Sequence, residues 1–245
     1  MPLVFTVILV AWVLAIVAQT NGREAELHHG ALIEGGLPLW VALGLFLLAW
    51  QAMIAAMMLP SSLPLIRLFA QVASAQPRSV RAKAAFLGGY AIVWSAFGAA
   101  AFFGDIVVHS VVDTLPWLSR RPWLIAAATL LLAGAFQFSD LKERCLRQCR
   151  HPAAFLLPRY RRGTHAAFRL GREHGLFCLG CCWALMLVGF AAGVANLWWM
   201  AALTAIMVVE KTIPGGDRLV GPVGIGLIVS GALVLLDPPG LSLRP

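Results

Sequence analysis

Long uncharged stretches divide this sequence into apolar blocks separated by short polar segments. No Asp, Glu, Lys or Arg occurs in six runs, residues 1–22, 35–66, 84–104, 122–139, 178–209 and 219–236. Each run is long enough for a membrane-spanning helix, which needs roughly 17–25 residues. The runs lack the alternating pattern of barrel strands, and a spanning backbone must satisfy its own hydrogen bonds. The pattern therefore predicts an all-α, polytopic transmembrane helical bundle.

The run 178–209 is too long for one simple span. About 32 residues of helix would measure about 48 Å, against a hydrocarbon core of about 30 Å. Gly193 and Asn196 supply turn-forming residues, so we expect two shorter helices here. One tilted helix would instead reduce the predicted number of spans from seven to six. The seven spans are expected at about 3–20, 37–59, 84–104, 122–139, 177–193, 197–211 and 219–236.

Two further runs carry specific expectations about where a helix begins or ends. The second span is expected to end near Leu59, because Pro60 and Pro64 follow and the residue before a proline resists helix. The first run has no basic residue before its apolar core, so it does not fit a signal peptide. We expect it to be a retained helix.

Composition and charge agree with membrane insertion and give an orientation. The chain is 60% hydrophobic and 12% charged, with a mean hydropathy of +0.82, whereas soluble domains carry about 25% charged residues. Segments 60–83, 140–176 and 211–218 hold 15 of its 19 lysines and arginines. Such residues collect on the cytoplasmic side. The whole chain, 1–245, is thus predicted to be one integral membrane domain with a cytoplasmic N-terminus.

The chemistry-bearing residues concentrate in "HGLFCLGCCWALM", residues 174–186. His174, Cys178, Cys182 and Met186 are spaced four apart, and Cys181 lies three after Cys178, so a helix places them on one side. Thiolate and thioether select Cu(I), and thiolate with imidazole also suits zinc. Free cysteines often pack simply as small hydrophobes. Their clustering with a histidine favours metal or redox chemistry.

A second cysteine pair lies upstream. Phe138, Leu141, Cys145 and Cys149 are predicted to form one stripe of a cytoplasmic amphipathic helix that continues span four and ends before Pro152. The two thiols either pack against the bundle or supply ligands to the same metal site. All five cysteines would then lie in a reducing compartment, where structural disulfides are rare.

Accessory candidates are weaker. Met53 and Met57 share a face of span two, with Met58 beside it, and thioethers could extend a soft-metal path, although methionine usually fills gaps. Glu210 is also a candidate, because ionisable groups at membrane depth are often functional. The helix end, however, is expected to let Glu210 and Lys211 snorkel toward water.

Three stretches resemble a bacterial family of predicted metal-binding integral membrane proteins, a domain of unknown function. They are "WQAMIAAMMLPSSLP" (50–64), "FQFSDLKERCLRQCRHPAAF" (136–155) and "HGLFCLGCCWALMLVGFAAGVANLWWMAALTAIMVVEK" (174–211). The family often has Tyr-Gln where this chain has Phe136-Gln137, and Met-Asn-Leu where it has Ala195-Asn196-Leu197. The resemblance implies metal binding and a pattern that includes Cys145, Cys149, His174, Cys178, Cys181, Cys182 and Glu210.

The predicted function is therefore binding of a soft metal, Cu(I) or zinc, in copper trafficking or insertion. Two alternatives remain: a membrane thiol–disulfide protein using the C-x-x-C spacing, and a non-catalytic subunit of a membrane complex. No catalytic residue is predicted. The expected partners are the lipid bilayer and a metal-handling or membrane-complex protein, not nucleic acid. Within the metal site, Cys181 and Cys182 project about 100° apart on a helix, so at least one of them is expected to face away.

Overall fold

The structure is a computed structural model that describes residues 2–21, 38–121, 123–191 and 197–236, and within these ranges every regular element is helical. The all-α prediction is confirmed. The elements are α1 (Pro2–Thr20), α2 (Leu39–Ala73), α3 (Ser79–Thr114), α4 (Pro116–Ser119), α5 (Trp123–Gln137), α6 (Asp140–Arg150), α7 (Pro152–Leu156), α8 (Thr164–Ala191), α9 (Leu197–Thr212), a 3₁₀ turn (Gly216–Leu219) and α10 (Val220–Leu236).

Several helices are long and apolar enough to cross a membrane. Among the described residues these are Leu3–Thr20, Leu39–Ala73, Ser79–Thr114 and Gly216–Leu236. A fifth span results if α5 and α6, which meet at a bend of 64°, are counted together. The predicted turn at Gly193–Asn196 lies outside the described residues, so the structure does not test whether the run 178–209 forms one span or two.

The expected end of the second span at Leu59 is wrong, because α2 continues through both prolines to Ala73. Pro60 has no N–H group, so the carbonyl of Ala56 loses its usual helical donor. The indole Nε1 of Trp12, on α1, donates to that carbonyl oxygen at 3.1 Å. A neighbouring helix thus satisfies the freed acceptor, as proline-containing membrane helices require.

The charged helix α6 is a separate element rather than a straight continuation of span four. Ser139 caps it, since its hydroxyl accepts a hydrogen bond from the backbone N–H of Lys142 at 3.2 Å. Acidic residues in the first turn and basic residues in the last complement the helix dipole. The helix ends at Arg150, before Pro152, as the sequence predicts. It packs against α8.

Helix α8 is the centre of the bundle and packs most extensively against α3. Two glycines permit this close approach. A Cβ at Gly171 would lie 2.0 Å from the Phe86 carbonyl oxygen, and one at Gly89 would lie 2.1 Å from that of Phe168. The α8 backbone is thereby held directly against α3. Helices α2, α6 and α9 surround the cysteine-bearing segment of α8.

Candidate metal centre

The three cysteines of α8 point into the protein interior. Cys178, Cys181 and Cys182 are each at most 1% exposed. The thiols of Cys181 and Cys182 both donate to the Cys178 carbonyl oxygen, at 3.1 and 2.7 Å. The C-x-x-C-C segment therefore forms one continuous group of thiols.

Cys178 has a polar environment that the sequence pattern does not reveal. Its sulfur lies 3.2 Å from the Tyr90 hydroxyl and 3.9 Å from the Ser62 hydroxyl. The ammonium group of Lys211 donates to the same sulfur at 3.3 Å and to Ser61 Oγ at 3.2 Å. Contacts from α2, α3 and α9 thus converge on one cysteine of α8.

Cys182 faces α2 and α9. Its sulfur lies 3.6 Å from the thioether sulfur of Met58 and 3.8 Å from the ammonium nitrogen of Lys211. Because Lys211 also contacts Cys178, one buried cation stands beside two thiols. Met58 is 0% exposed, so this sulfur pair is fully enclosed.

Cys181 faces α6. Its sulfur lies 4.0 Å from the sulfur of Cys149, which is half-buried. The hydrogen bond between these two side chains, together with burial, raises the pKa of the Cys149 thiol well above its usual value. The adjacent residues Cys181 and Cys182 therefore contact different helices.

Cys145 occupies a different position on α6. Its sulfur would lie only 2.6 Å from a Cβ added at Gly180, so the thiol packs against the α8 backbone. Burial raises the pKa of the Cys145 thiol. Of the two upstream cysteines, Cys149 is the one whose sulfur lies within hydrogen-bonding distance of a cysteine sulfur of α8.

His174 lies in an aromatic niche. Its ring stacks on Tyr90 and Phe86, with centroid distances of 5.5 and 6.2 Å, and meets Phe155 edge-on at 5.8 Å. It is 3% exposed, and its Nε2 atom has no hydrogen-bond partner among the described residues. The aromatic rings, rather than sulfur atoms, account for the ring contacts of His174.

Glu210 and Lys211 do not snorkel, which corrects the expectation from the sequence. They are 1% and 4% exposed, and Glu210 Oε2 lies 2.7 Å from the Nζ atom of Lys142. Arg150 donates to the Glu210 and Ile213 carbonyl oxygens. The end of α9 is thus tied to α6 by charged groups instead of reaching toward water.

The same ion pair alters the predicted stripe on α6. Phe138 and Leu141 are each 55% exposed, whereas Lys142 is 1% exposed and Cys145 is 7% exposed. The buried face of α6 therefore includes Lys142, which does not belong to the predicted apolar stripe. Its partner, Glu210, lies 68 residues away in sequence.

The remaining accessory candidates are buried. Met53, Met57 and Met186 are at most 5% exposed and belong to the same core as the cysteines. Among the described residues, no three His, Cys, Asp or Glu side chains are grouped so that they could hold a metal ion together. Four cysteines are instead linked through short contacts, and we call them the sulfur line: Cys149 contacts Cys181, and the thiols of Cys181 and Cys182 both donate to the carbonyl oxygen of Cys178.

Sequence reasoning missed Tyr90, Ser61, Ser62 and the role of Lys211 as a cysteine partner. A tyrosine, two serines and a lysine inside or beside apolar runs were the available signal, since such polar groups require partners. Their partners lie on other helices, so no local spacing identifies them.

Comparison with known proteins identifies a family match. No curated protein and no solved structure matches the chain. Residues 47–234 match the PpoB2 family model, whose description is "copper chaperone". The matched segment contains all five cysteines and every residue of the sulfur line. Because it covers about three quarters of the sequence, the chain belongs to the PpoB2 copper chaperone family.

Proposed function

We propose that this protein is an integral membrane copper chaperone that carries Cu(I) on the buried sulfur atoms of Cys178, Cys182 and Met58. The observation that carries this proposal is the contact between Cys182 and Met58 beside Cys178, inside a bundle with several apolar helices. A thioether and two thiols from two different helices meet there. The metal is the cargo of the protein.

The donor set favours Cu(I) over zinc. Thiolates and thioethers are soft ligands that select Cu(I). Structural zinc sites are almost always tetrahedral, with four nitrogen or sulfur ligands. No such convergence of His, Cys, Asp or Glu exists among the described residues. The imidazole ring of His174 is stacked on Tyr90 and Phe86.

Charge supports the same conclusion. Taking an ion out of water costs several kcal/mol unless a counter-charge compensates it. The partners of the buried Lys211 ammonium group are the Ser61 hydroxyl and the sulfur atoms of Cys178 and Cys182. Two thiolates with one Cu(I) carry a net charge of −1, which the ammonium group balances. The carboxylate next to it, Glu210, is paired with Lys142.

The proposed orientation places α6 and the basic loop that follows it at the cytoplasmic surface, because lysines and arginines concentrate on that side. The cysteines then face a reducing compartment, which keeps them as thiols. A metal-handling protein would supply or receive the copper. A bacterial inner membrane is the proposed location.

Metal analysis of the purified full chain tests the proposal. The protein, reduced and anaerobic in detergent, is offered equal Cu(I) and Zn²⁺, and bound metal is counted after desalting. Wild type should retain Cu(I), and the double variant Cys178→Ser/Cys182→Ser should lose it. Cys145→Ser is the matched control, a buried cysteine outside the sulfur line, and should retain copper.

X-ray absorption at the copper edge distinguishes the proposed ligands from the alternatives. Sulfur-only coordination that loses one scatterer in Met58→Leu supports the proposal. A nitrogen scatterer that disappears in His174→Phe would move the site to the histidine. Equal copper in wild type and the double variant would refute it.

A further inference from the structure

We propose that the Cys149–Cys181 pair is a second, transient copper site, through which Cu(I) passes between solution and the buried sulfur atoms. This inference rests on the proposed function. Cys149 is the half-buried cysteine, whereas the other four are at most 7% exposed. It is therefore the thiol that an external copper carrier can reach first.

Short contacts lead from this surface position to the interior. The sulfur atoms of Cys149 and Cys181 lie 4.0 Å apart, the thiols of Cys181 and Cys182 donate to the same Cys178 carbonyl oxygen, and the Cys182 sulfur lies 3.6 Å from that of Met58. Two metal–sulfur bonds of about 2.3 Å, the length found at zinc sites, would span the separations from Cys149 to Cys181 and from Cys182 to Met58. At these two steps, copper can form a bond to the next sulfur atom before the previous bond is lost.

The divergence of Cys181 and Cys182 explains why adjacent cysteines are needed. Residues next to each other on a helix project about 100° apart. Cys181 thus contacts α6 while Cys182 contacts α2, although both donate to the Cys178 carbonyl oxygen. A single turn of α8 therefore lies between the outer pair, Cys149 and Cys181, and the inner pair, Cys182 and Met58.

The transfer is a ligand exchange without redox change. The donor is a Cu(I)–thiolate complex, and copper stays Cu(I) throughout. A bond forms between copper and the Cys149 sulfur while one to the donor thiolate breaks, and the proton of the Cys149 thiol passes to the released thiolate. The same exchange then moves copper onto Cys181 and Cys182.

The surroundings of Cys149 favour an anionic donor. Cys149 lies in the last turn of α6, which is basic because it also holds Arg147 and Arg150. Cu(I) bound by two thiolates is negatively charged and is attracted to this surface. The ligand class proposed for the outer site is therefore an anionic Cu(I)–thiolate complex.

The test measures copper exchange rates on the full chain in detergent. Cu(I)–glutathione is the donor, and bathocuproine disulfonate removes the metal in the reverse direction. Cys149→Ser should keep the copper content of wild type but load and release it at least about ten-fold more slowly. Cys145→Ser, on the same helix, should exchange at the wild-type rate.

Cys149→Met separates a ligand role from a structural one. A thioether still binds Cu(I), so this variant should exchange faster than Cys149→Ser, which a packing role would not predict. If the variants do not fold, alkylation of Cys149 in copper-loaded wild type should slow release to bathocuproine disulfonate. Unchanged exchange rates in Cys149→Ser, or in the alkylated protein, would overturn the inference. Absence of copper from wild type would instead refute the proposed function.

Discussion

Breaking the ion pair between Lys142 and Glu210 should destabilise the fold far more than breaking an exposed pair on the same helix. Lys142 Nζ and Glu210 Oε2 are 2.7 Å apart, and the side chains are 1% and 2% exposed. At an effective dielectric constant of about 20, their attraction is about 6 kcal/mol, and desolvation offsets part of it. Removing one partner leaves a buried charge and should cost about 3–5 kcal/mol.

Glu210→Gln and Lys142→Met are the single variants, and the double variant completes the cycle. The double variant should lose clearly less unfolding free energy than the two single variants lose together, because neither buried charge is then left without a partner. Thermal unfolding in detergent, followed by circular dichroism, should show the single variants melting on the order of 10 °C below wild type.

Glu143→Gln is the matched control. Glu143 and Arg147 form an i,i+4 pair at 3.0 Å, but their side chains are 72% and 61% exposed. Loss of this exposed pair should lower the free energy of unfolding by less than about 0.5 kcal/mol. A melting temperature for Glu210→Gln equal to that of Glu143→Gln, or additive losses in the double variant, would refute the reasoning.

Three further outcomes follow from the geometry. Gly180→Ala places a methyl group 2.6 Å from the Cys145 sulfur, so α6 should shift away from α8. Copper exchange, measured by loading from Cu(I)–glutathione, should then be slower. An unchanged exchange rate would count against this contact. Gly171→Ala, with its Cβ 2.0 Å from the Phe86 carbonyl oxygen, should lower the melting temperature more than Gly104→Ala, where nothing lies within 4 Å. Because the pKa of the Cys149 thiol is raised, its thiolate forms only at higher pH. In the Cys145→Ser variant, the rate at which iodoacetamide alkylates Cys149 should therefore reach half its maximum at a higher pH than the rate for free cysteine.

The fold class could be predicted because apolar run length is a local property of the sequence. Helix α2 shows the limit of such reasoning. Pro60 correctly indicates a lost hydrogen bond, but the donor that replaces it, Trp12, lies on another helix. Whether a proline ends a helix or is tolerated depends on such a tertiary partner, which no window around the proline contains.

The candidate site likewise has a part that local sequence predicts and a part that depends on tertiary packing. The spacing of the α8 cysteines identifies which thiols lie close together, since helical geometry alone decides it. Which helix each thiol faces depends on packing, and the partners Met58 and Lys211 come from elsewhere in the chain. The buried position of Lys142 could not be inferred either, because a lysine on a charged helix normally faces water.

The hydrogen bond from Trp12 to Ala56 connects the first helix to the proposed copper site. Ala56 lies two residues before Met58, so the proline-weakened turn of α2 adjoins the thioether proposed to bind copper. Without α1, that carbonyl would lack its indole donor. The first helix is therefore expected to support the position of Met58 next to Cys182, although it contributes no sulfur atom of its own.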